Sequence, residues 1–106
     1  MEITEYTVEK LVDPTGLING ERYEFRLYIT LDEEDELYSE GGTGVRAIFA
    51  VDDGEQRIAM AHFFKRGTDE VLAFEVEEDE ISAILAFCKL NFDTKDNSTN
   101  LSNYLP

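Results

Sequence analysis

His62 is the only histidine in the chain, and Cys88 the only cysteine. A His–His metal site and a histidine relay therefore lack a second member. Strand alternation sets His62 beside Met60 and Phe64, on a side that reads as core-facing. The chemistry open to it there is general acid–base transfer with a carboxylate to orient the ring. It is also the one candidate ligand-binding residue, in a pocket expected between helix and sheet. A lone cysteine excludes an intramolecular disulfide and a multi-thiolate metal centre. Cys88 falls within an apolar helical stripe, and burial raises a thiol pKa, the wrong direction for a nucleophile. No catalytic residue, metal ligand or cofactor is expected from these positions.

Acidic residues are plentiful, but their spacing is uninformative. Residues 32–36 (Asp-Glu-Glu-Asp-Glu) start like a calcium loop. The sixth position is Leu37, where an EF-hand loop needs glycine, and the segment lies between strands. Gly41-Gly42-Thr43-Gly44 lacks the Lys-Ser/Thr ending of a phosphate loop and leads into a strand, so no helix N-terminus waits for an anion. With 24 Asp and Glu residues, some pair must fall at a glycosidase-like separation, which makes that signal worthless. Charge reverses only in residues 56–67, where Arg57, Lys65 and Arg66 stand without an acid. That stretch is expected to balance surface charge or to dock the acidic loop, its own or a neighbour's.

The chain has 106 residues and a formal charge of −15 from 9 Lys and Arg against 24 Asp and Glu. That length supports one core. Leu, Ile, Val and Phe number 30 of 106, above the roughly 20% below which charged chains stay disordered. A field of this sign repels phosphate backbones and anionic lipid, so neither nucleic acid nor a membrane surface is an expected partner. No apolar run approaches the ~18 residues of a membrane span. Met1-Glu2-Ile3-Thr4-Glu5 has no signal-peptide character, and a cytoplasmic protein is expected.

Strand signals dominate the elements that must position these groups. Residues 2–12 favour a strand whose two faces do not separate cleanly. Asp13-Pro14-Thr15-Gly16 suits a type I turn, and Asn19-Gly20 gives a second turn signal. Tyr23, Phe25, Leu27, Ile29 and Leu31 then alternate with Glu24, Arg26, Tyr28 and Thr30, the clearest strand in the chain. Asp53-Gly54 is a favoured hairpin turn. It sets Asp52 opposite Glu55, Phe49 opposite Ile58, Ala47 opposite Met60 and Val45 opposite His62, with Phe63 across from Gly44 on the other face. A two-residue turn at 67–68 pairs Lys65 with Glu70 and sends Leu72 to the Phe63 face. A three-residue turn sends it to the Met60 face, and both remain open.

Residues 77–91 form the one helix. Ile81, Ile84, Leu85, Cys88 and Phe92 make its apolar stripe, with Asp79 as expected N-cap and Lys89 near the negative end. Phe87 and Leu90 lie off that stripe, beside Ala83 and Ala86. A helix apolar on both flanks is expected to be covered twice, by its sheet and by something else.

Asp13-Pro14-Thr15-Gly16, Gly20-Glu21-Arg22-Tyr23-Glu24-Phe25, Asp35-Glu36-Leu37-Tyr38-Ser39-Glu40 and Phe87-Cys88-Lys89 together resemble a family of small acidic proteins of unassigned function from spore-forming Gram-positive bacteria. The resemblance covers residues 2–92. It implies a bacterial cytosolic protein, supports a single α+β domain, and brings no active-site residues with it.

The expected architecture is α+β: about five mainly antiparallel strands with one C-terminal helix on a face. Residues 1–92 form the domain and 93–106 a polar tail, flexible or folded back on the helix. The expected function is a non-enzymatic binding module, homodimeric or paired with another protein. Phe87 and Leu90 are its anchors, and Ile48, Phe63 and Tyr28 form a second apolar surface. The alternatives are a small-molecule binder or weak enzyme near His62, and an acidic decoy for a basic partner.

Overall fold

A computed structural model describes residues 1–17 and 19–93. Its sheet has four antiparallel strands in the order β1-β2-β3-β4. They are β1 (Glu2–Leu11), β2 (Glu21–Thr30), β3 (Thr43–Asp52) and β4 (Glu55–Lys65), followed by the helix α1 (Glu78–Asn91). The alternation in β2 becomes burial: Phe25, Leu27 and Ile29 point into the core. The first turn forms as its residues favour, with the Gly16 amide donating to the Asp13 carbonyl at 3.2 Å. Asp53 and Gly54 take φ values of 50° and 83°, which a primed hairpin turn requires. Asp52 then faces Glu55, and Phe49 faces Ile58.

Beyond Ile58 the expected register fails. Ala59 is an extra residue, so Met60 faces Ile48, Ala61 faces Ala47, His62 faces Arg46, Phe63 faces Val45 and Phe64 faces Gly44. Phe63 therefore enters the core, 1% exposed, while His62 turns to the face away from the helix. The sequence carries apolar residues in both alternation phases here. A one-residue bulge lets Ile58 and Phe63 serve the same core, where an unbroken strand would send them to opposite faces. The same device operates in β1. There Thr4 is the extra residue, so Ile3 faces Ile29 while Tyr6 faces Leu27 and Val8 faces Phe25. That phase slip is why the faces of residues 2–12 do not separate in sequence.

The expected fifth strand is reduced to a single bridge between Phe64 and Val71. The Lys65 amide donates to the Glu70 carbonyl at 2.8 Å and the Leu72 amide to the Phe63 carbonyl at 2.9 Å. This is the register of the two-residue turn, with Leu72 packed on the core. Past Leu72 the chain must climb to the helix layer, so it leaves the sheet after three residues.

The helix starts at Glu78, with Glu77 as N-cap in place of Asp79. The Glu77 amide donates to the Glu80 carboxylate at 2.9 Å, and three acids fill the positive first turn. Ile84 and Cys88 join the core formed by Phe25, Leu27, Val45, Ala47, Phe49 and Phe63. The two off-stripe residues separate. Phe87 is covered by the sheet itself, edge-on to the Tyr6 ring with centroids 5.0 Å apart. Leu90 is 82% exposed, so only one of the two expected anchors is available on this flank. The expected tail spans residues 93–106, and all of it beyond Asp93 lies outside the described residues.

Candidate docking face of the sheet

The face of the sheet opposite the helix is built from four rows of side chains. Strand register gives Glu5–Tyr28–Gly44–Phe64, then Thr7–Arg26–Arg46–His62, then Glu9–Glu24–Ile48–Met60, then Leu11–Arg22–Ala50–Arg57. The five arginines of the chain are residues 22, 26, 46, 57 and 66. Four lie in these rows, and Arg66 reaches the same face over Tyr28, its guanidinium 4.0 Å from the ring centroid.

Each arginine has a carboxylate. Arg46 bonds Glu24 through its Nε, and Arg26 reaches the same carboxylate at 3.7 Å and Asp69 at 3.1 Å. Arg66 makes a bidentate contact with Glu5, both N–O distances 3.1 Å. Arg22 and Arg57 share Asp52 at 3.0 and 3.1 Å. That pairing holds the Asp52 carboxyl below its ordinary pKa, chiefly through its bond from Arg22. The basic stretch of residues 56–67 therefore pairs with Asp52, Glu5 and, through Lys65, Glu70 at 3.6 Å. None of these partners belongs to the loop of residues 32–36, which corrects the expected docking of that loop within the chain.

Aromatic rings lie beneath this layer of charge. Phe64 is 2% exposed although, among the described residues, no helix covers it. Its ring crosses Gly44, where a Cβ would stand 2.6 Å from its Cζ. It meets Tyr28 edge-on at 6.0 Å, and Arg26 lies 5.2 Å above it. Arginine supplies both a flat head over the rings and an apolar stem beside them.

His62 sits half-buried in this lattice, opposite Arg46. Burial lowers its pKa, and Arg46 and Arg26 lower it further, against an opposing pull from Glu24. The ring is thus neutral at pH 7 and faces cations, a poor setting for a general base that must gain a proton. The expected pocket between helix and sheet cannot include it, because the sheet lies between the two. Cys88 is fully buried, and desolvation pushes its thiol up to about 12. Among the described residues no group of His, Cys, Asp and Glu could hold a metal ion. A shallow recess of about 410 Å³ lies between Leu11, Val12, Asp13, Pro14, Gly20 and Arg22, remote from both side chains in the chain.

Of the residues singled out from sequence, Ile48 and His62 share the back face, Phe63 is core, Phe87 packs against Tyr6 of the sheet, and Leu90 is exposed on the helix. Leu90 and the back face lie on opposite sides of the sheet, so they cannot form one interface. Sequence reasoning missed the arginine lattice. Its signal was present: Arg22, Arg26 and Glu24 all occupy the polar phase of the clearest strand.

The chain belongs to a family of unknown function, DUF6509, whose model matches residues 1–95. Neither a curated protein nor a solved structure matches it. Among the described residues no helix is long and apolar enough to cross a membrane.

Proposed function

We propose that this is a non-catalytic protein-binding module of the bacterial cytosol, and that it docks its partner on the back face of the sheet. The observation that carries the reading is the gathering of all five arginines of a chain of charge −15 onto one face, each paired with a carboxylate. Elsewhere the surface is acidic and repels an acidic partner. Here the charges cancel in place, and Met60, Ile48, Tyr28 and His62 lie among guanidinium heads already held in position. Arginine and aromatic side chains fixed before contact lose little entropy on binding, and they dominate the energetics of protein interfaces.

Helix-flank docking through Leu90 and capture of a basic partner by residues 32–36 differ from this reading in what abolishes them. The test is affinity capture from a bacterial lysate with the full chain and three variants. A partner held by the wild type and by Leu90→Glu, but lost with Met60→Glu, supports the back face. Loss with Leu90→Glu alone would move the site to the helix. Retention by Met60→Glu together with loss when residues 32–36 are neutralised would favour the decoy, whose binding should also collapse with added salt.

A further inference from the structure

The two edges of the sheet are guarded differently. Along β1, Glu2, Glu5 and Glu9 and the bulge at Thr4 protect the open backbone, the usual means by which proteins keep edges from pairing. Along β4, residues 63–65 are covered by residues 70–72. Residues 55–62 have no backbone partner on their outer side among the described residues. From Gln56 to His62 this free edge reads Gln-Arg-Ile-Ala-Met-Ala-His, with no acid in a chain that has 24. The bulge at Ala59 is its one protective device, with none of the acids that guard β1.

We infer that this free edge pairs with the same edge of a second copy of the chain, antiparallel, giving one continuous sheet across the dimer. The register follows from the faces already fixed by β3. Gln56, Ile58 and Ala61 point to the helix side, and Glu55, Arg57, Met60 and His62 to the back. A two-fold axis between Ile58 and Ala59 places Gln56 against Ala61 of the partner subunit, Arg57 against Met60 of the partner subunit, and Glu55 against His62 of the partner subunit. Every facing pair then shares a side of the sheet, as antiparallel strands require. No like charges meet, and the outermost pair sets a carboxylate beside an imidazole. The same two-fold brings the two bulges together, so neither breaks the pairing. A shift by one residue sets opposite faces against each other.

An edge of this length, at roughly 3.3 Å per residue, is shorter than a full-size interface needs for tight binding. Two copies of charge −15 also repel each other at a distance. Association is therefore weak, rises with protein concentration and strengthens when salt screens the repulsion. It is independent of the docking reading, since a monomer can still bind a partner on the Arg46–Glu24 face.

The test is the mass of the full chain by sedimentation across a concentration series, at low and high salt. The wild type should rise from 12.1 kDa towards twice that value, at lower concentration in high salt. Ala61→Pro should stay monomeric. The Phe63 carbonyl and Lys65 amide both face residues 70–72, so the Ala61 amide, in the same phase, points outward, and its loss breaks no bond to β3. Amide exchange in the wild type gives a second readout. The Ala61 amide should slow as concentration rises while the Ile84 amide does not change. A mass fixed at the monomer with Ala61 exchange independent of concentration, or a dimer that survives Ala61→Pro, would overturn the inference.

Discussion

The two faces of the sheet solve one problem with different materials. On the helix side Phe25, Phe49 and Phe63 are sealed by Ile84, Cys88 and the rings of Phe87 and Phe92. On the other side Phe64 is nearly as deeply buried, under the Arg26 guanidinium, with no helix above it among the described residues. A single helix is narrower than a four-stranded sheet and can cover one face only. The apolar excess on the second face therefore does not demand a further layer of chain. Paired arginines provide a thin one.

Breaking the register should have the largest effect. Deleting Ala47 from β3, which carries no extra residue to absorb the loss, sends Val45 or Phe49 onto the back face and should abolish cooperative unfolding. Deleting Ala59 removes only the bulged residue, keeps every later side chain on its face, and should leave a folded protein. Circular dichroism through a thermal scan separates the two. On the helix side, Phe63→Ala should cost about 3–5 kcal/mol in urea denaturation, the usual range for a fully buried ring. On the back face, Glu24→Gln leaves Arg26, Arg46 and His62 facing one another. It should cost roughly 1–3 kcal/mol, the range for a lost hydrogen bond to a charged group. That variant should also lower the His62 pKa further, because Glu24 is the neighbour that raises it.

The pH response sharpens the same contrast. The folded-state pKa of His62 lies below its ordinary value, so the unfolded chain binds the proton more readily. The neutral ring's contribution is intact above the ordinary imidazole value and is lost as pH falls through and below it. Asp52 adds to the acid loss at lower pH, since its folded pKa is also depressed. Urea midpoints at pH 7.5 and 5 should therefore differ less in His62→Asn than in the wild type. At the small end, Leu90→Ser should change stability by no more than about 0.5 kcal/mol, because an exposed side chain loses little on truncation. A cost of several kcal/mol would mean that Leu90 is covered.

Much of this organisation is legible in the residues. The β2 alternation, the Asp53-Gly54 turn and the spacing from Ile81 to Cys88 each report a local preference, and the structure agrees with all three. The bulges do not announce themselves. Residues 58–64 offer apolar side chains in both phases, and only the competition between Phe63 and His62 for the core selects one. That choice is tertiary, and it moves His62 from an expected pocket to an open face. The helix N-cap moves from Asp79 to Glu77 for a related reason: several adjacent acids can each cap, and the approach of the chain from Leu72 decides between them. Arginine pairing is legible only in part. Alternation places Arg22, Glu24 and Arg26 together, but their link to Arg46, Asp52 and Asp69 depends on strand order.

The most direct test of the docking face is photo-crosslinking in living bacterial cells, with a photoreactive residue placed at Met60 in one version of the full chain and at Leu90 in another. The account predicts a discrete adduct from position 60 and none from position 90. An adduct from position 90 with none from position 60 would contradict it.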